Sequence, residues 1–493
     1  MTHTAPYLPF VLPQRDLRVS AGALPDAAGA VGHVVFAGEE PAAAAGLSAA
    51  RAQALGFKAS VGASLVIAGA DGPVTVLLGG GPRAEADAAV LRDVAAVLAR
   101  AVPSQHDLAI VLPDTAVPVA EAATALVEGA ALARYAYRIG QTAPEARIAS
   151  IAVVCDEASA PDAAAGAARG QVLVRAAKLS RDLAATPGSM LTATAISELA
   201  VELGAQHGLD VEVFDRDALV ELQCGGLLAV NLGSVEPPRM VKMVYRPEGE
   251  PTGRLALVGK GLMYDSGGLA LKPGDEVHAA MKNDMSGAGA VLAAMSTLKE
   301  LGCQAQVTAY LMCTDNMPSG SAMHMGDVIV IRGGKTVEVI NTDAEGRLVM
   351  ADALVLANEE GADAIVDIAT LTGACLRSLG AEIAGVLGND EALLAQVKAS
   401  AERVDEPVWE LPLAACYRKE LDSPIADLRN LGGANAGTIT AGLFLAEFVG
   451  DTPWAHIDIA GTSMSPAAHT WTNKGTTGFG ARLLVDFALN FKR

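Results

Sequence analysis

The 493-residue chain is poor in aromatic residues, which make up 4% of it, and poor in positive charge, with 36 Lys and Arg against 56 Asp and Glu. The resulting net charge of -20 argues against a partner with a phosphate backbone, which needs concentrated Lys and Arg. No run reaches the roughly 18 apolar residues that a membrane span requires. SLVIAGADGPVTVLLGGG, for example, is broken by Asp71 and several Gly. The first residues, MTHTAPYLPFVLPQRDLR, lack a basic segment followed by an apolar one, so no secretory signal is expected. Six Cys (155, 224, 303, 313, 375 and 416) occur without a CxxC pair, and eight His without HExxH or HxxxH. Buried thiols and a cytoplasmic location are expected from this, and a zinc site built from His or Cys is not.

Nucleotide and serine chemistry lack their motifs as well. Gly334-Lys335-Thr336 resembles the end of a phosphate loop, but the opening Gly is replaced by Ile329. Gly259-Lys260 is followed by Gly261 where Ser or Thr is needed. No GxGxxG opens a helix, and Ser463 has Ser465 in the place of the Gly that closes a nucleophile elbow.

What is present is an ordinary folding composition, 51% hydrophobic and 19% charged. Short apolar runs (HVVFAG, SLVIAG, VTVLLGG, LAIVLP, IASIAVVCD) alternate with Ala-rich helical stretches such as AEADAAVLRDVAAVLARAV. This pattern predicts a smaller N-terminal α/β domain over 1–165. EASAPDAAAGAARG, residues 157–170, reads as a linker or the lead into a connecting helix. Helices are expected near 171–185 and 193–207. Strands and helices alternate again from Leu255, so a larger C-terminal α/β domain is expected over 171–493, with a mixed, mostly parallel sheet flanked by helices. The first 170 residues hold 16 acidic and 11 basic residues, which places most of the acidity in the second domain.

Three polar clusters fall at predicted strand ends, where sites collect in α/β proteins. Val258-Gly-Lys-Gly-Leu-Met-Tyr-Asp-Ser-Gly-Gly-Leu-Ala-Leu-Lys272 carries Lys260, Asp265 and Lys272 in a Gly-rich loop. Met281-Lys-Asn-Asp-Met-Ser-Gly-Ala-Gly289 places Asp284 at the head of a helix. Asn341-Thr-Asp-Ala-Glu-Gly-Arg-Leu348 carries Asp343, Glu345 and Arg347 between strand and helix. Singly, each has a plain structural reading: Asp284 and Asp343 as helix N-caps worth about 1 kcal/mol, the lysines as surface residues. Jointly, four carboxylates at strand ends of one domain repel unless cations neutralise them. Two bridged divalent ions do this, and they also activate water and polarise a carbonyl. Ligands that are mostly oxygen leave Zn, Mn, Co and Mg open.

NTDAEGRL, VGKGLMYDSGGLALK and MKNDMSGAG resemble the characteristic segments of the leucyl aminopeptidase (cytosol aminopeptidase) family. The likeness continues through NMPSG, GKTVEV, ATLTGA, DLRNLGG, AGLFLAEFV and WAHIDIAGT, and covers about residues 175–493. The resemblance implies a two-metal aminopeptidase that removes N-terminal, leucine-like residues from peptides by attack of metal-activated water. Lys260, Asp265, Asp284 and Glu345 would hold the tighter ion, and Asp265, Asp343 and Glu345 the more exchangeable one, Mn or Zn. Lys272 would stabilise the oxyanion, and Arg347 would hold a bicarbonate ion acting as general base. Peptides with a free N-terminus are the implied substrates, and a homohexamer the implied assembly.

The chain departs from the family pattern at Met325-Gly-Asp-Val, at Ala185 within Arg181-Asp-Leu-Ala-Ala-Thr-Pro187, and at Asp315, none of them an implied ligand. His324, in the first of these stretches, reads as a surface or packing residue. Some family members act on DNA architecture. Against that role here, Lys58 is the single lysine of the N-terminal domain.

Overall fold

The alternation of apolar and Ala-rich stretches becomes two α/β units in a computed structural model that describes residues 17–41, 46–68, 72–139 and 147–493. Residues 1–16 of the stretch read for a signal segment, and Asp71, lie outside the described residues. Of the described residues, one unit takes 17–178 together with Pro466–Gly475; the other takes Leu179–Ser465 and Thr476–Arg493. The division therefore differs from the expected break between 165 and 171. It falls inside one helix, Ala160–Ala185, so of the two readings of 157–170, a linker or the lead into a connecting helix, the structure agrees with the second. Alanine is the strongest helix former, and the Gly there answers a packing need: a Cβ on Gly166 would lie 2.0 Å from the carbonyl oxygen of Ala120. The Ala/Gly composition marks close helix packing rather than a flexible tether.

In the first unit the strands are β1 (Arg18–Gly22), β2 (Ala30–Val35), β3 (Ser64–Ile67), β4 (Val74–Gly79), β5 (Asp107–Val111) and β6 (Ser150–Val154). They form one sheet in the order β1-β6-β5-β2-β4-β3, parallel except where β3 meets β4. Helix Ala88–Ala101 starts at Asp87, whose Oδ1 accepts the Val90 N–H at 2.8 Å. Its buried face packs with helix Val119–Ala133 over the sheet.

The second unit contains β7 (Asp210–Phe214), β8 (Arg239–Tyr245), β9 (Arg254–Asp265), β10 (Gln306–Asn316), β11 (Val328–Val330), β12 (Thr336–Glu338), β13 (Ala364–Ala369), β14 (Ala384–Gly388), β15 (Val408–Glu410), β16 (Leu428–Arg429) and β17 (Trp454–Asp458). Eight of them make a mixed sheet in the order β15-β14-β17-β13-β9-β10-β8-β7. The four central strands, β17, β13, β9 and β10, are mutually parallel, and antiparallel pairings lie outside them. Near-continuous apolar runs such as Leu255–Val258 fit strands covered on both faces. One face is covered by helices Gly346–Glu359 and Gly437–Ala446, whose Leu348, Leu354 and Phe444 share a core with Ala256, Ile365 and Trp454. Among the described residues no helix is long and apolar enough to cross a membrane.

Helix Ser286–Met295 seats directly on the sheet, and this contact positions Asp284. A Cβ on Gly287 would lie 2.2 Å from the Ile368 carbonyl oxygen and 3.0 Å from the Lys260 backbone nitrogen. Only a residue without a side chain permits that approach. Gly287→Ala is therefore expected to destabilise the chain by about 1–3 kcal/mol, the usual cost of overpacking, seen as a lower denaturant midpoint. An unchanged midpoint would mean the helix can retreat freely.

Candidate metal centre

Lys260, midway along β9, and Asp265, at its carboxyl end, are buried in the middle of the sheet. Asp284 follows a short 3-10 turn, Met281–Asn283, and stands two residues ahead of helix Ser286–Met295. Glu345 immediately precedes helix Gly346–Glu359, and Asp343 lies in the turn before it. The plain capping reading fails for both aspartates. The residue at the N-cap of the first helix is Met285 and of the second Glu345, neither with a side-chain cap bond.

The five residues meet instead. Carboxylate oxygens of Asp265, Asp284 and Glu345 come within 4.8 Å of one another, and each residue is no more than 4% exposed. Lys260 Nζ lies 2.9 Å from Asp284 Oδ1, 3.0 Å from Glu345 Oε1 and 2.8 Å from the Thr370 carbonyl oxygen. Lys272 Nζ contacts Asp265 Oδ2 at 2.8 Å and Asp343 Oδ1. The rim differs in accessibility from this buried set: the Asp343 side chain is 34% exposed and that of Lys272 16%.

Electrostatics follow from the crowding. Burial opposes the charge on Lys260, but Asp284, Glu345 and Asp265 outweigh it and raise its pKa. Lys272 is raised in the same way, burial again being overcome by Asp265 and Glu345. The Asp284 carboxyl is pushed up to about 8 by burial, with Asp265 and Glu345 adding to the effect against Lys260. Asp343 is pushed up to about 6, again by burial first and then by its acidic neighbours. Four carboxylates face two ammonium groups, so the cluster is short of positive charge.

A divalent cation fits this shortage on a specific observation. Asp284 Oδ2, although 2.8 Å from Lys260 Nζ, and Glu345 Oε2 are buried and accept no hydrogen bond. Buried carboxylate oxygens without donors are costly; a hard cation satisfies them. Arg347 presents the opposite case. Its guanidinium is buried, Nε and Nη1 find no acceptor, and burial lowers its pKa to about 10. Unsatisfied donors of that kind suit a small anion.

Several neutral residues hold the cluster in place, and charge-seeking sequence reading passed over them. Thr370 Oγ1 donates to Asp284 Oδ1 at 2.7 Å, while its carbonyl receives Lys260. Asn430, wholly buried, accepts the Ile340 N–H at 2.9 Å and donates to the Asn341 carbonyl at 2.7 Å, which fixes the turn bearing Asp343. Both lie inside segments that carried the family resemblance, ATLTGA and DLRNLGG, and that location was their only signal. His324, by contrast, is exposed and 3.5 Å from Asp327. The departing residue Asp315 bonds Ser234 Oγ at 3.1 Å.

Comparison with known proteins identifies the family. Residues 178–485 match the cytosol aminopeptidase family, catalytic domain. A probable cytosol aminopeptidase of Streptomyces griseus subsp. griseus is 43% identical over 442 residues, 85% of either chain. Another, of Solibacter usitatus, is 40% identical over 420 residues, 85% of this chain and 87% of the other. Among solved structures, the bottromycin maturation enzyme BotP superimposes with a TM-score of 0.85 at 37% identity, covering 94% of this chain and 98% of its own, and a second structure of it is a complex with Mn. The chain belongs to the cytosol aminopeptidase family, and is a metal-dependent aminopeptidase that hydrolyses peptides from the N-terminus.

Proposed function

We propose that the chain releases leucine-like N-terminal residues from peptides through a pair of divalent ions, Mn or Zn, in the unit formed by residues 179–465 and 476–493. The observation that carries this is a pair of buried oxygens that accept no hydrogen bond, Asp284 Oδ2 and Glu345 Oε2, on the two carboxylates that flank Lys260. Lys260, Asp265, Asp284 and Glu345 would hold the deeper ion; Asp265, Asp343 and Glu345 would hold the outer one. The greater exposure of Asp343 supports easier exchange at the outer position. The chemistry such a pair supplies is polarisation of the scissile carbonyl and activation of the attacking water. With cations offsetting the carboxylates that otherwise keep it protonated, Lys260 would serve as a ligand in its free-amine form.

Lys272 remains an ammonium and stabilises the charge that develops on the carbonyl oxygen. Arg347 would hold a bicarbonate ion, and the chemistry that ion would supply is that of a general base. The acidic lining favours substrates that arrive with a free ammonium group. In keeping with the family, the working form is a cytoplasmic homohexamer engaged in peptide turnover; sedimentation of the purified chain tests the assembly.

Loaded with Mn²⁺ or Zn²⁺, the purified protein is expected to release leucine from leucine amide, with activity lost in EDTA and restored by added metal. Leucine release indifferent to chelator, or none at all, would sink this reading. A digest of a peptide library separates leucine preference from a narrower activity such as hydrolysis of cysteinylglycine.

A further inference from the structure

We propose that Asn316 is a positioning residue for Asp265, and that its neutral side-chain amide selects which carboxylate oxygen faces the cations. The inference rests on the reading of Asp265 as a ligand shared by two ions. Asn316 ends β10 and is 3% exposed. Along the parallel pair β9/β10 the register runs from Thr314 opposite Leu262 to Asp315 opposite Tyr264, so β9 carries one extra residue, Met263. That irregularity brings Asn316 opposite Asp265. Bulges of this kind re-aim side chains beside active sites.

Both amide N–H groups of Asn316 then bind the segments that bear ligands. Nδ2 donates to Asp265 Oδ1 at 2.9 Å and to the Thr342 carbonyl oxygen at 3.0 Å, the residue just before Asp343. The Asn316 carbonyl accepts Ser266 N–H at 3.0 Å and Ser266 Oγ–H at 2.7 Å, which ties down the residue after Asp265. The loop closes tightly over the amide. Gly268 has φ +64°, and a Cβ there would lie 2.7 Å from Asn316 Oδ1.

The consequence concerns the two oxygens of Asp265. Oδ1 already accepts from Asn316 Nδ2 and from Gly267 N–H, each at 2.9 Å. Two donors satisfy it, so Oδ2 is the oxygen turned to Lys272 and the cluster. An aspartate at 316 would remove the Asn316 N–H groups, leave Oδ1 only the Gly267 N–H, and set a carboxylate against Asp265. An alanine would free Oδ1 to rotate. Outer partners that orient a ligand in this way typically account for 10–100-fold in metal affinity.

The test uses the full chain with Asn316→Asp, which keeps the volume, and Asn316→Ala. Binding of Mn²⁺ is read from the electron paramagnetic resonance signal of the free ion, and folding from thermal unfolding in EDTA. Each variant is expected to unfold in EDTA within a few degrees of the parent, yet to bind Mn²⁺ roughly 10–100-fold more weakly. Activity on leucine amide should recover towards the parent level as Mn²⁺ is raised, which a scaffold defect would not allow. Parent-like Mn²⁺ affinity in either folded variant overturns the proposal. So does failure of both variants to fold in EDTA, which makes Asn316 a scaffold residue. If the parent chain itself takes up no Mn²⁺, it is the two-ion reading that fails, a result visible without any variant.

Discussion

Lys272→Ala is expected to lower kcat about a hundred- to a thousandfold, while the chain keeps about two divalent ions. Lys272 stands on the Gly-rich loop after β9, its Nζ 2.8 Å from Asp265 Oδ2 and in contact with Asp343. Its proton is held by those carboxylates in spite of burial, so the residue offers a full positive charge at the rim. Removing one preorganised donor to a developing oxyanion typically costs 10²–10³ in kcat. KM for leucine amide should change little, because the lost interaction strengthens only as charge develops. Metal content, by elemental analysis, should not fall, since the variant removes a cation that competes for Asp265 and Asp343. A chain that loses its ions together with its activity would make Lys272 a staple of the ligand loop, and would transfer oxyanion stabilisation to another group.

The fold was legible where periodicity is strong and local. β2 to β6, β9, β10 and β13 coincide with apolar runs that stand out by eye, and the helix Ala193–His207 begins and ends where expected. Other elements are carried by long-range packing. β7 has only half-buried and exposed positions, β8 mixes buried and half-buried ones, and they gain their place from antiparallel pairing, β7 with β8 and β8 with β10. Pro466–Gly475 belongs to the first unit although it lies some 290 residues beyond Lys178. It is held there by contacts such as Arg100 Nη2 to the Thr472 carbonyl, 2.6 Å, and Asn473 Nδ2 to the Leu132 carbonyl, 2.7 Å. No window of sequence contains both partners of such a bond.

The candidate site was legible through charge. Carboxylates and lysines at strand ends are costly enough in a buried setting to demand an explanation. Asn316, Thr370 and Asn430 pose no such demand in a sequence, because neutral polar residues are common in turns. Their importance appears only when Asp265, Asp284 and the turn at 340–344 are seen to hang on them. The capping reading of Asp284 and Asp343 failed for a related reason: an aspartate before a helix looks the same in sequence whether its oxygens turn to backbone N–H groups or to a lysine.

Asp265→Asn should have the largest effect of any single change: occupancy below about half an ion per chain and kcat lower by roughly 10⁴, because each of two ions loses an anionic ligand at once. The replacement is isosteric, so its effect is chemical. The carboxamide oxygen can still accept from Gly267 N–H and Asn316 Nδ2 at the Oδ1 position, which turns its NH₂ towards the cluster, where no lone pair remains for a cation. The opposite rotamer sets NH₂ against those two donors and is worse. Stability distinguishes this from unfolding. In EDTA the variant should unfold at or above the temperature of the parent, since one of four mutually repelling carboxylates has gone. In Mn²⁺ the parent gains stability by mass action, about 2.7 kcal/mol when the free ion is at a hundred times its dissociation constant, and the variant gains little. A variant that keeps one tightly held ion and near-parental turnover would show that Asp265 serves a single cation, and that the division of ligands between a deeper and an outer ion must be redrawn around Glu345.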